Sequence, residues 1–115
     1  MKAFNQNRNT VVAENVRLAD TFLSRMVGLL NRASLDPHEA LLITKCQSIH
    51  MLFMRFAIDA IFLNAAGQVV GLVPNIRPFR FSRIYFSATQ CLEAPVGTIA
   101  RSKTMIGDYF SFLKK

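Results

Sequence analysis

The sequence predicts an α+β domain that is mostly β: a small antiparallel sheet curled into a barrel-like shape, with one early helix packed on it. Short apolar runs of strand length recur along the chain, and glycine, proline and asparagine turns separate them. Only one segment has its apolar residues at helical spacing. Parallel βαβ organisation would need more crossover helices than this pattern provides. With 115 residues, the chain is expected to form a single domain.

The N-terminal part holds a polar start, one strand and the helix. Residues 1–10 are polar and rich in asparagine, which predicts a loose terminus. From residue 15 to residue 19, apolar and polar residues alternate as in a short strand. Asp20 or Thr21 can cap the helix that follows, because residues 22–30 place their apolar side chains three and four positions apart.

The remaining strands follow from short apolar runs bounded by turn residues. Residues 58–63 and 68–73 are predicted to form a β-hairpin around a turn at residues 64–67, and Pro74 is expected to end its second strand. Three further strands are predicted, at residues 40–44, at residues 89–94, which Pro95 ends, and at residues 109–113 after a turn at Gly107 and Asp108.

The charge of the chain is strongly positive. Fourteen lysines and arginines stand against seven acidic residues, a formal net charge of +7. Such a surface favours anionic partners, among which are nucleic acids, acidic lipids and acidic proteins. The first fifteen residues are too polar for a secretory signal, so we expect a cytoplasmic protein. The apolar run at residues 49–63 is too short for a membrane span and is predicted to be core.

Cys46 and Cys91 lie 45 positions apart and form no C-x-x-C pair. They are expected to be buried thiols, with a disulfide between them as the alternative. Cys46 and His50 have a spacing that offers two zinc ligands, which Cys91, Glu93 or Asp59 would have to complete. Because no second close-spaced pair is present, we predict no metal and no cofactor.

Polar residues in the apolar centre give the main candidate site. An ionised or imidazole group among apolar neighbours needs a partner or a water-filled cleft. We therefore predict a polar cleft on the central strands, lined by Ser48, His50, Asp59 and Glu93.

Two alternatives to that cleft stay open. In the structural one, His50 is a satisfied core group, and Asp59 pairs with Arg55 or accepts hydrogen bonds from backbone N–H groups. In the enzymatic one, His50 is a general acid or base beside an acidic partner, because its ordinary pKa lies near neutrality.

A second candidate site is the run from Arg77 to Phe86. Arg77, Arg80 and Arg83 alternate here with aromatic residues, and no acidic residue occurs between Asp59 and Glu93. Arginines interleaved with aromatics can bind a phosphate backbone and stack on bases. The alternative is a solvated loop whose aromatic side chains anchor in the core.

Five short motifs occur in a characteristic order, at residues 25–30 (RMVGLL), 49–51 with 58–63 (IHM and IDAIFL), 67–70 (GQVV), 92–97 (LEAPVG) and 106–108 (IGD). Together they resemble the bacterial and archaeal family known as domain of unknown function 192, from about Ala19 to Phe112. The resemblance implies a compact β-rich fold and no particular reaction. Members with a basic, cysteine-containing centre resemble a subgroup associated with secretion or pilus systems.

The predicted function is that of a small accessory or ligand-binding domain, with a small molecule or a protein as its partner. The first alternative is a module that binds nucleic acid or another anionic partner through the three arginines. The second is an enzyme that uses His50.

Overall fold

The structure is a computed structural model, and it describes residues 1–19, 34–49, 51 and 55–114. Within these residues the chain forms eight strands and a short helix: β1 (Lys2–Asn5), β2 (Thr10–Ala13), β3 (Asn15–Ala19), β4 (Glu39–Thr44), β5 (Ile58–Leu63), β6 (Val69–Ile76), β7 (Gln90–Pro95), α1 (Thr98–Ser102) and β8 (Phe110–Leu113). The prediction of a mostly β protein is confirmed. The described helix is late in the chain, whereas the predicted early helix at residues 22–30 lies outside the described residues.

Five strands form the larger sheet, in the order β3-β4-β7-β5-β6. Its neighbours are antiparallel except for β3 and β4, which run parallel with Leu18 opposite Leu42. The expectation of a wholly antiparallel sheet is therefore wrong at this pair. A parallel pair needs a crossover of a dozen or more residues, and the connection from residue 20 to residue 38 is long enough to provide one.

Three strands form the smaller sheet, in the order β2-β1-β8. Because β1 pairs on both sides, the prediction of a loose terminus at residues 1–10 is wrong. The polar side chains of this segment gave no strand pattern in the sequence. Its backbone nevertheless forms a strand, which hydrogen bonds to β2 and β8 hold in place. Its last residue, Asn5, is completely buried.

The two faces of the larger sheet carry separate buried clusters. The first face carries side chains that include Leu41, Ile43, Ala60, Phe62 and Cys91. The second face packs against the smaller sheet, and the cluster between them includes Leu42, Ile61, Leu63 and Leu92 of the larger sheet and Phe110 of β8. The expected single curled sheet or barrel is wrong, because β4 and β5 are buried on both faces and each face needs its own cover.

The predicted hairpin is present, with Leu63 opposite Val69 across the turn at residues 64–67. Its second strand continues through Pro74 to Ile76 instead of ending at the proline. The strand β6 lies at the edge of its sheet, where proline's missing N–H is tolerated. Among the described residues, no helix has the length and apolar character needed to cross a membrane.

A polar network around the buried Asp108 carboxylate ties the turn after β1 to the turn before β8. The Asp108 carboxylate forms two hydrogen bonds with the Arg8 guanidinium, at 3.0 and 3.1 Å, and accepts others from Asn5 Nδ2 and the Met105 amide. Burial acts to raise the pKa of Asp108, but the hydrogen bonds from Arg8, Asn5 and Met105 outweigh it and hold that pKa below its ordinary value. The network thus stabilises the chain ends.

Candidate functional site

Asp59 is a buried carboxylate, 1% exposed, held by main-chain N–H groups. Its Oδ1 accepts from the Asn75 amide at 2.9 Å, and its Oδ2 accepts from the amides of Gly97 at 3.2 Å and Ile99 at 2.9 Å. Asn75, at a φ of 51°, lies where β6 carries an extra residue relative to β5. Gly97 and Ile99 lie at the start of α1, whose first N–H groups lack intrahelical acceptors. These contacts match the structural alternative for Asp59.

Asp59 and Glu93 lie on opposite faces of the larger sheet. Side chains alternate along a strand, so Asp59 shares the second face with Ile61, and Glu93 shares the first face with Cys91. The structure therefore does not bring the two carboxyl groups together. A cleft lined by both of them is not formed.

Glu93 lies in the apolar cluster of the first face, opposite Leu41 on one side and Ala60 on the other. Its side chain is 7% exposed. Burial, and secondly the charge of the nearby Cys46 sulfur, raise the pKa of Glu93 to about 8. Burial also raises the pKa of the Cys91 thiol, and the hydrogen bond that this thiol donates to the Cys46 sulfur and the negative charge of Glu93 add to the effect. At neutral pH this site is therefore a largely protonated carboxyl beside the Cys91 thiol and the Cys46 sulfur.

The other two residues of the predicted cleft have different positions. Ser48 is exposed, and its carbonyl oxygen accepts a hydrogen bond from the Cys46 thiol at 3.2 Å. His50 lies outside the described residues, so its predicted roles as a general acid, a base or a zinc ligand stay predictions. In the part of the chain that the structure describes, no group of three histidine, cysteine or acidic residues is arranged to hold a metal ion.

The segment at residues 77–86, which we call the basic ribbon, is fixed by backbone hydrogen bonds to residues 47, 49 and 51. The amides of Phe79, Ser82 and Tyr85 donate to the carbonyls of Met51, Ile49 and Gln47, all at 2.8 to 2.9 Å. The Met51 amide donates back to the Arg80 carbonyl at 2.8 Å. The Gln47 side chain donates to the Phe86 carbonyl at 2.8 Å. The basic ribbon is consequently held along its length.

The aromatic side chains of the basic ribbon divide into one anchor and three exposed rings. Tyr85 stacks on the buried ring of Phe62 with the centroids 4.5 Å apart. Phe79 and Phe81 are each 67% exposed, and Phe86 is 80% exposed. The alternative in which the aromatics anchor in the core is therefore wrong for the three phenylalanines and right for Tyr85.

Three arginines stand beside these rings. Arg77, Arg80 and Arg83 are exposed, and within the described ranges none of them forms an ion pair. The Arg83 guanidinium lies over the Tyr85 ring, 5.1 Å from its centroid, which orients it by a cation–π contact. The basic ribbon thus presents three cations and three apolar rings to solvent within ten residues.

Sequence reasoning identified the three arginines and missed that the phenylalanines face solvent. Phenylalanine is ordinarily a core residue, so the spacing of the three phenylalanines did not indicate that their rings are exposed. A usable signal was Pro78 together with the density of arginines around the rings, because a proline lacks the N–H that regular strand pairing needs and charged side chains favour solvent.

The sequence of the chain is similar to a known protein family and to proteins of two archaea. A family model described as Uncharacterized ACR, COG1430 matches residues 3–112. A UPF0127 protein of Thermococcus sibiricus is 36% identical over 90% of this chain and 70% of its own length. A UPF0127 protein of Pyrococcus furiosus is also 36% identical, over 90% of this chain and 91% of its own length.

Two crystal structures share the fold. A Novosphingobium aromaticivorans protein of unknown function superposes with a TM-score of 0.82 at 19% identity, covering 96% of this chain and 82% of its own. A Sinorhizobium meliloti protein, described as a "putative transcription regulator", superposes with a TM-score of 0.79 at 20% identity, covering 96% of this chain and 89% of its own. At these identities the likeness concerns the fold alone.

Proposed function

Because the chain belongs to the family Uncharacterized ACR, COG1430, whose description names no activity, we propose its function from its own surface: it binds single-stranded nucleic acid through the basic ribbon. One observation carries the proposal. Three phenylalanine rings and three arginines are exposed together on a segment whose backbone is fixed. The predicted ligand cleft is the weaker candidate, since Asp59 and Glu93 lie on opposite faces of the sheet.

The pattern of side chains matches the chemistry of a single strand. A single strand alternates a charged phosphate with a base that offers a flat aromatic face. The basic ribbon alternates in the same way, with arginines at positions 77, 80 and 83 and exposed rings at 79, 81 and 86. Base–aromatic stacking contributes about 1–3 kcal/mol per base, so two or three stacked bases provide useful affinity without sequence readout.

The cations of this region also favour a phosphate ligand. All three basic residues between Asp59 and Glu93 are arginines, whose planar guanidinium can donate two parallel hydrogen bonds to a phosphate. The absence of acidic residues from the same stretch leaves their charge uncompensated along the sequence. The description of the Sinorhizobium meliloti neighbour as a transcription regulator is compatible with a nucleic-acid ligand, although that likeness concerns the fold.

The proposal is tested by fluorescence anisotropy with a labelled mixed-sequence single-stranded oligonucleotide at low salt. The variant R77A/R80A/R83A is expected to lose at least about tenfold in affinity, because three phosphate contacts disappear. The matched control K2A/R17A/K114A removes the same charge outside the basic ribbon and is expected to bind within about twofold of the wild-type protein. Equal losses of affinity in both variants would show that binding depends only on the net charge of the protein, which would contradict the proposal.

A second arm separates nucleic acid from an anionic membrane. In F79L/F81L/F86L the ribbon stays apolar but loses its aromatic faces, so oligonucleotide affinity is expected to fall by about tenfold or more. Sedimentation with phosphatidylglycerol vesicles provides the comparison. Binding of the wild-type protein to vesicles, together with no measurable oligonucleotide binding, would overturn the proposal in favour of a lipid surface.

A further inference from the structure

The two cysteines come from distant parts of the sequence and meet on the first face of the larger sheet. The strands β4 and β7 pair with Ile43 opposite Cys91. Beyond the end of β4, the Cys46 amide continues this contact by donating to the Thr89 carbonyl at 3.1 Å. Cys46 is thereby held beside Thr89, which directly precedes β7 and comes two residues before Cys91 in the sequence. Both side chains belong to one buried cluster.

The two sulfur atoms are neighbours with unequal access to solvent. The Cys91 thiol donates a hydrogen bond to the Cys46 sulfur, the Cys46 thiol donates to the Ser48 carbonyl, and no disulfide joins the two cysteines in the structure. Cys46 is 9% exposed and Cys91 is completely buried. Of these two buried cysteines, Cys46 is therefore the one that a small reagent would reach first.

We propose that Cys46 and Cys91 are a redox pair that closes to an intramolecular disulfide by exchange with a low-molecular-weight disulfide. In the first step the Cys46 sulfur attacks one sulfur of the reagent, breaks its S–S bond and forms a mixed disulfide. The first reagent thiol leaves with the proton from Cys46. In the second step the Cys91 sulfur attacks the Cys46 sulfur, and the second reagent thiol leaves with the proton from Cys91. Two electrons pass from the protein to the reagent, which departs as two thiols.

The position of Cys46 gives the disulfide a structural consequence. Cys46 directly precedes Gln47, whose carbonyl accepts from the Tyr85 amide and whose side chain donates to the Phe86 carbonyl. A bond from Cys46 to Cys91 joins the residue before Gln47 to β7. Because Gln47 bonds to the end of the basic ribbon, the disulfide links that end to β7 through Gln47, and it also closes a long loop of the chain. Cross-links that close long loops restrict the unfolded chain and so stabilise the folded state. This inference does not depend on what the basic ribbon binds.

The test is to equilibrate the native full-length protein with oxidised glutathione and then measure its intact mass and its thiol content after denaturation. The expected product is a monomer lighter by two hydrogen atoms, with no remaining thiol and a melting temperature raised by several degrees. Reduction with dithiothreitol is expected to restore both thiols and the original melting temperature.

Single variants separate the two steps. Cys91→Ala keeps the more accessible thiol and is expected to stop at one glutathione adduct, whereas Cys46→Ala keeps only the buried thiol and is expected to stay unmodified in the native state. The proposal is overturned if the wild-type protein keeps both thiols, stops at a mixed disulfide or forms only disulfide-linked dimers. It is also overturned if the internal disulfide forms but lowers the melting temperature, because the two sulfurs would then not be positioned for a bond.

Discussion

Asp59 gains its place in the fold from three backbone N–H groups, which would lose their acceptor if its buried carboxylate were removed. Each buried donor left unsatisfied costs about 1–3 kcal/mol. The variant Asp59→Ala is therefore expected to lower the free energy of unfolding by about 3 kcal/mol or more, as measured by urea denaturation. The matched control is Asp36→Ala, at an exposed acid, with an expected change within about 0.5 kcal/mol. Equal stability of the two variants would contradict the capping role of Asp59.

Glu93 makes stability depend on pH. Its pKa in the folded state is about 8 and in the unfolded chain about 4.3, so the folded state holds a proton that the unfolded chain releases. The contribution is complete below about pH 4 and is lost as the pH rises through about 8, at about 1.4 kcal/mol per pH unit between the two pKa values.

The variant Glu93→Gln isolates this contribution, because glutamine keeps the shape of the side chain and cannot ionise. Urea denaturation from pH 5 to pH 9 is expected to show the wild-type protein losing stability relative to Glu93→Gln as the pH rises. A constant difference between the two proteins over that range would show that Glu93 has an ordinary pKa.

The polar residues of the core could be recognised from the sequence, but their grouping could not. Asp59 and Glu93 both stand in apolar runs, which correctly indicates burial. Their faces depend on the register of β5 and β7, which places Ala60 opposite Glu93 and Asp59 opposite Ala94. A shift of one residue would reverse the face of either carboxylate, and no local pattern fixes that shift.

At the scale of elements, the basic ribbon depends on the close approach of its Tyr85 ring to Gly71 in β6. An ideal Cβ at Gly71 would lie 2.4 Å from Tyr85 Cε1, whose ring is already stacked on Phe62. The variant Gly71→Ala is therefore expected to cost about 1–3 kcal/mol of stability, because the Tyr85 ring has to move away from its partner.

A double-mutant cycle shows whether that cost belongs to the tyrosine. When Tyr85→Ala is introduced first, Gly71→Ala is expected to cost little, which gives a coupling of about 1 kcal/mol or more. Strictly additive costs, measured by urea denaturation, would mean that the glycine is required for another reason.

Elements with strong local signals were predictable, and elements held by distant pairing were not. The hairpin was predicted because turn residues at 64–67 separate two apolar runs. The strand β1 was missed because its sequence, KAFN, is short and half polar, and its partners come from residues 10–13 and from the far end of the chain. Long-range pairing of this kind leaves little trace in a short segment.

At the scale of the whole molecule, the sheet with two buried faces explains both the fold and the exposure of the basic ribbon. The second face is covered by the smaller sheet, whereas the cluster on the first face includes Ile49, Met51 and the partly buried Tyr85. The backbones of residues 47, 49 and 51 form hydrogen bonds with the backbone of the basic ribbon above this cluster, and the remaining rings and arginines of the ribbon point to solvent. The apolar run from residue 40 to residue 43 already indicated that this strand is buried on both faces. Which segments of the chain cover each face could be seen only in the structure.

The most direct test of the proposed function is the salt dependence of oligonucleotide affinity. For single strands, the logarithm of the affinity falls with the logarithm of salt concentration by about 0.7 for each phosphate contact. Three arginine contacts therefore predict that the slope of R77A/R80A/R83A is shallower than that of the wild-type protein by about 2, whereas K2A/R17A/K114A keeps the wild-type slope. An unchanged slope in R77A/R80A/R83A would contradict the proposed role of the basic ribbon.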